Sequence, residues 1–217
     1  MRRTAAGILI LMLLMLGGCV RMEIPVRKDE AKEYLEGKYR ESFTLYSSMS
    51  ISIDQPYGEM VFFSESHPEA AVHLYDDEKT MRDNYFGILA RKPMQEMIDT
   101  AVKDAGMNGK AFFVFRSRFF PDSYTDTARL PELLAEEGNS MKTDIDVFTD
   151  AESPVTEADF DRLCGILKER NIYGTVMWYR VSAEELKGLN QENYDEYLAS
   201  DYEISPVCTA YLEREGE

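Results

Sequence analysis

Hydrophobic residues along this chain change their spacing several times, and each change marks an element. Ala31, Tyr34, Leu35 and Lys38 recur at three- and four-residue steps, which predicts a helix to about Lys38 with Asp29 as its cap. The period then drops to two. Phe43, Leu45, Met49, Ile51 and Ile53 alternate with Thr44, Ser48, Ser50, Ser52 and Asp54, the pattern of a strand with one buried and one wet face. Gln55-Pro56-Tyr57-Gly58 reads as a turn. Glu59 to Ser64 and Ala70 to Tyr75 read as two more strands, separated by the Ser66-His67-Pro68 loop. This first stretch is a helix followed by an antiparallel meander.

A helical region comes next. Met94, Met97, Ile98, Ala101, Val102 and Ala105 form its stripe, Pro93 interrupts it, and Gly106 is placed to end it. Met107-Asn108-Gly109 is the expected boundary between two halves. The second half opens with an aromatic-rich strand, Ala111 to Phe120. A polar loop from Pro121 to Arg129 follows, then a short helix from Pro131 to Glu137 and an alternating strand from Thr143 to Phe148. Thr156 caps a helix with Phe160, Leu163, Cys164 and Leu167 as its stripe, which Asn171 can close. Tyr173 to Val181 is a strand. Ser182-Ala183-Glu184-Glu185 is a capping box, and Asn190 can begin a further helix. Tyr202 to Leu212 is the last strand, with Ile204, Cys208, Ala210 and Leu212 on one side. Helices and strands interleave unevenly, so the expected class is α+β, mostly antiparallel sheets packed with amphipathic helices. The expected organisation is a signal over 1–18, a tether over 19–27, and α+β halves over 28–108 and 109–217.

The first residues carry a different pattern. Arg2 and Arg3 precede an uncharged apolar run from Ala5 to Leu16, and Leu16-Gly17-Gly18-Cys19 follows. This is the order of a secretory signal with small residues before its cut. Ala5 to Val20, as helix, would reach about 24 Å at 1.5 Å per residue, short of a hydrocarbon core of about 30 Å. The four residues at the cut also resemble the lipobox of bacterial lipoproteins. The resemblance implies cleavage before Cys19 and a diacylglyceryl group on its thiol. The expected location is therefore the extracytoplasmic face of a cell membrane, held there by lipid.

Removal of residues 1–18 from the 217 leaves 199, with 22 basic against 40 acidic residues and a net charge of −18. Such a surface repels nucleic acid and keeps an exported chain soluble, so no nucleic-acid partner is expected. With Cys19 assigned to lipid, Cys164 and Cys208 remain in an oxidising compartment. Both fall on predicted core faces and could pair, although two buried free thiols are the simpler expectation.

Tyr34-Leu35-x-x-Lys38-Tyr39, the aromatic Phe43 and the later Asp83-Asn84-Tyr85 resemble a group of small Gram-positive bacterial lipoproteins of unknown function. The resemblance spans about residues 29 to 90. The family usually has Gly-Glu after the final Tyr, where this chain has Arg40-Glu41. It implies a Gram-positive source and carries over no catalytic residue.

Candidate chemistry is sparse. His67 and His73, with Glu65, Glu69, Asp76 and Asp77, could be drawn as a metal site, but Pro68 separates them and no Cys lies close. Asp144, Asp146, Asp150 and Glu152 alternate like calcium ligands. Thr149 stands where an EF-hand loop needs Gly, so a wet strand face and a turn are expected instead. No nucleophile elbow or phosphate loop occurs. Cys164 on an apolar stripe reads as inert core. Phe112, Phe113, Phe115, Phe119 and Phe120 read as a central strand covered on both sides rather than a binding platform. No cofactor, metal or catalytic residue is therefore expected. The expected function is a non-catalytic binding or scaffolding module. The alternatives are an envelope hydrolase using paired carboxylates and a small solute-binding lipoprotein.

Overall fold

The computed structural model describes residues 25–51, 56–77, 79–136, 141–200 and 204–214. The signal, Cys19 and most of the tether lie outside the described residues. Two compact units divide the chain, one up to Met81 and one from Arg82 onward. There are two four-stranded sheets, the first ending in a short strand that crosses the division and the second within the second unit, so the class is α+β, mostly antiparallel.

In the first unit, helix α1 (Lys28–Tyr39) packs against strand β1 (Phe43–Met49). Strands β2 (Gly58–Ser64) and β3 (Ala71–Asp76) continue the antiparallel meander, and the short β4 (Met81–Asp83) completes the order β1-β2-β3-β4. The alternation predicted for β2 and β3 holds: Met60, Phe62, Val72 and Leu74 are fully buried. It fails in β1, where the register slips between Leu45 and Ser47. Tyr46 at this bulge and Met49 beyond it are exposed, and burial resumes only at Ile51. An extra residue in one strand reverses which side chains face inward, and β1 is an edge strand free to bulge.

Two further expectations change here. Asp29 lies inside the first turn of α1, and Arg27 occupies the cap position without a side-chain bond to the helix backbone. The tether also ends earlier than Arg27. Val26 is buried, and it fills the space where a Cβ on Gly58 would sit, so glycine there lets the two backbones approach. Arg27 donates from Nη2 to Asp76 Oδ1 at 2.5 Å and from Nε to Asp76 Oδ2 at 3.1 Å. Asp76 is buried, and its bond holds the guanidinium pKa above its ordinary value.

The second unit is built around helix α2 (Tyr85–Asp104), a single helix with Pro93 inside it. The expected interruption is absent because the stripe continues across it: Phe86, Ala90, Met94, Ile98 and Ala101 are fully buried. Burying a large apolar side chain contributes roughly 1.5–3 kcal/mol, and several of them outweigh the roughly 3 kcal/mol cost of an interior proline. The helix ends as expected. Gly106 stands at φ +82°, its N–H donates to Lys103 O, and Met107 N–H donates to Val102 O, which together make a Schellman closure. Helix α2 packs on strand β5 (Gly109–Phe115), so the division between units falls before the helix and not at Met107-Gly109.

After β5 come a 3-10 turn (Thr127–Arg129), α3 (Leu130–Glu136), β6 (Thr143–Asp150), α4 (Glu157–Glu169), β7 (Gly174–Val181), α5 (Ala183–Gly188), α6 (Tyr194–Ser200) and β8 (Cys208–Leu212). The sheet order is β5-β6-β7-β8. The β6–β7 pair is parallel, joined through α4, and the outer pairs are antiparallel. Capping boxes at Thr156 and Ser182 start α4 and α5 as the sequence predicts.

One face of this sheet carries a large core with Ile145, Val147, Val176 and Trp178 against Phe160, Leu163 and Leu167 of α4. The other carries a smaller cluster of Phe112, Phe148, Tyr179, Val181, Leu189 and Tyr194. The aromatic strand stops at Phe115, and it is an edge strand rather than a central one. Its Phe112 and Phe113 nonetheless point into the two different clusters, so both faces are covered. Strand β8 is shorter than expected. Ile204 belongs to the smaller cluster, whereas Cys208, Ala210 and Leu212 belong to the larger.

Candidate functional site

The largest departure from the sequence reading is Asp146. It lies on the same face of β6 as Asp144, a face expected to be wet, yet it is only 6% exposed. Its neighbours in register are Phe112 on β5 and Met177 on β7. Phe112 stacks on Tyr194 of α6 at 4.8 Å, and Phe148, two residues along β6, stacks on Tyr179 of β7 at 5.1 Å. The carboxylate is thus sealed beneath aromatic rings. Asp146 Oδ1 is buried without a hydrogen-bond partner, and the buried Tyr194 hydroxyl has Asp195 and Gln191 close to it as polar neighbours. The Tyr179 hydroxyl contacts Met177 Sδ at 3.3 Å and stands close enough to favour the ionised carboxylate.

Local sequence explains how the cover forms. Asn193 accepts from the Asn190 N–H at 2.8 Å and donates to Gly188 O at 3.0 Å, which sets the turn that leads into Tyr194. Lys110 of β5 donates to Lys187 O at 3.1 Å and Leu189 O at 2.7 Å, tying the end of α5 to the sheet.

Burial pushes Asp146 up to about 6, assisted by the nearby Asp195 and Asp144 carboxylates and opposed by Tyr179. Burial also pushes Tyr179 up to about 12 and raises Tyr194. All three acids are driven toward their neutral forms. The site can offer a hydrogen from protonated Asp146, or accept a hydrogen-bond donor or a cation once Asp146 ionises.

The other predicted residues are held elsewhere. Asp144 pairs with Arg116 at 2.6 Å, and Asp150 Oδ1 accepts from Glu152 N–H at 3.0 Å, so the acidic run does not converge. His73 pairs with Glu59 at 2.8 Å across β2 and β3, and Tyr75 donates to the same carboxylate oxygen at 3.0 Å. His67 lies 3.5 Å from Glu69. Among the described residues no three His, Cys, Asp or Glu side chains could hold a metal ion. Cys164 and Cys208 are unbridged and half-buried. Phe120 packs against Phe86, Phe115 and Tyr124, which places the end of the aromatic run in the core. A shallow groove of about 580 Å³ is lined by Pro93 and Met97 of α2, Leu130 and Pro131 of α3, and Arg170, which donates to Met97 O at 2.6 Å.

Alternation along β6 hid Asp146. The available signal was the succession strand, capped helix, strand over 143–181, which implies a parallel pair covered on both faces.

Neither a protein family nor a curated protein matches the sequence. Among solved structures, the chain is similar to a DUF5037 family protein from Ruminococcus gnavus ATCC 29149. Sequence identity is 16%, the TM-score is 0.38, and the match covers 74% of this chain and 77% of that one. A likeness at that level carries no argument about activity.

Proposed function

We propose that this chain is a membrane-anchored extracytoplasmic lipoprotein whose α+β body is a non-catalytic binding or scaffolding module. The observation that carries the reading is the order Arg2-Arg3, apolar run, Leu16-Gly17-Gly18-Cys19. Two acyl chains anchor a protein firmly, at about 0.8 kcal/mol per buried methylene. Val26 and Arg27 are tied to the first unit, so the seven steps from Cys19 to Val26 allow a reach of at most about 25 Å. The module therefore works close to the membrane surface. Among the described residues no helix is long and apolar enough to cross a membrane.

The non-catalytic half of the reading draws on Asp146. Burial raises this carboxylate to about 6, a value suited to acid chemistry, yet the residue is only 6% exposed, and neighbouring Asp144 is engaged by Arg116. Mass spectrometry of the membrane-bound protein tests the anchor. A diacylated N-terminal Cys19 is expected, and an unmodified thiol there or an N-terminus elsewhere would refute it. A glycan-hydrolysing activity abolished by Asp146→Asn would move the assignment to a carboxylate hydrolase.

A further inference from the structure

We infer that the exported chain carries a Cys164–Cys208 disulfide that staples its last strand to helix α4. The inference rests on the export reading above for the compartment, and on the following geometry for the pair. Phe160 of α4 stacks on Trp178 of β7 with ring centroids 6.1 Å apart. Cys164 lies one turn further along the same face of that helix. Cys208 is the register partner of Trp178 across β7 and β8, so its side chain leaves the sheet on the side that α4 covers. Both cysteines pack against the same core, and α4 packs against β8.

The electrostatic neighbours agree with this placement. The charges that raise the Cys208 pKa, after burial, belong to Glu157 and Asp161, which precede Cys164 by seven and three residues on α4. Cys164, pushed up to about 11 mainly by burial, is affected by Asp161 and by Cys208 itself. The two thiols therefore occupy one half-buried corner, 44 residues apart in sequence.

Their chemistry points to a structural bridge rather than a redox-active one. Strongly oxidising disulfides are those whose reduced form is stabilised as a thiolate, and acidic neighbours with partial burial do the opposite here. Forming the bond removes two protons and two electrons from the pair. A disulfide of an envelope thiol oxidant accepts them by thiol–disulfide exchange and leaves as two thiols. Strand β8 is an edge strand held to the sheet by β7 alone, so a staple to α4 gives it a second attachment.

The test uses the full chain recovered from membranes, quenched in acid, alkylated with and without prior reduction, and mapped by mass spectrometry. A reductant-sensitive peptide joining Cys164 to Cys208 is expected, with neither thiol alkylated before reduction. Cys208→Ser should leave Cys164 open to alkylation. Free Cys164 and Cys208 in a chain whose Cys19 is lipidated would overturn the inference. In parallel, the purified reduced chain is incubated with glutathione disulfide and followed for the loss of two hydrogens and the same linked peptide. If the membrane sample proves unlipidated but this bridge forms, the export reading fails and the pairing stands. If no bridge forms, the pairing itself is wrong.

Discussion

Arg40 ends α1 at φ 58°, in the left-handed region, with its N–H bonded to Glu36 O at 2.8 Å. A residue with a Cβ enters that region at a cost of roughly 1 kcal/mol or more, whereas glycine does not. This is the position where the lipoproteins that the segment resembles usually have Gly. Arg40→Gly should therefore stabilise the first unit by about 1 kcal/mol, read as a higher urea midpoint. An unchanged or lower midpoint would show that the arginine side chain contributes more than its backbone costs.

Asp146 gives the second prediction at this scale. Its folded pKa near 6 stands above the ordinary 3.8, so between those values the folded state holds the proton more tightly than the unfolded one. The stability linked to this group is full below about pH 4 and is lost as pH rises through 6. The shift corresponds to a ceiling of about 3 kcal/mol. Asp146→Asn should match the wild type at pH 4 and exceed it by on the order of 2 kcal/mol at pH 8. Urea melts at the two pH values decide the matter, and an equal difference at both would remove the argument.

Elements were legible where one physical signal dominated. The two capping boxes are local hydrogen-bond patterns, and Thr156 and Ser182 start helices as read. Gly106 closes α2 because only a residue without a Cβ enters φ +82° freely. Gly106→Ala should cost about 1 kcal/mol, measurable by thermal melting. The cost should be separate from packing, since a Cβ there would meet nothing nearer than Arg162 Nη1 at 3.6 Å. Elements were misread where a local rule met a long-range force. Pro93 is a helix breaker by propensity, yet core burial carries α2 through it. The alternation of β1 is broken by a bulge that depends on the register with β2.

At the scale of the whole molecule, the chain divides after Met81 because α2 finds its partner in the strand that follows it. Its proposed anchor lies at the other extreme of organisation, in a short linear pattern read by processing enzymes. Cys19→Ala should leave the precursor uncleaved and unlipidated, seen as a larger mass with residues 1–18 retained. The α+β body should melt as before, because the substitution lies seven residues ahead of Val26, which with Arg27 is tied to the first unit. Cleavage at another bond would replace the lipoprotein assignment with plain secretion.

The sequence by itself determined what depends on near neighbours: the α+β class, most helices with their caps, and the strands β2, β3 and β7. The tertiary structure alone decided which faces are covered. Asp144 and Asp146 occupy equivalent places in an alternating strand, but α5 and α6 cover one and leave the other to Arg116. Burial is a property of what packs against a residue, and the parts that seal Asp146 come from β5, β7 and α6, more than thirty residues away in either direction. The same reason governs Cys164 and Cys208, which a sequence can place on core faces but only the packing of α4 on β8 brings to one corner.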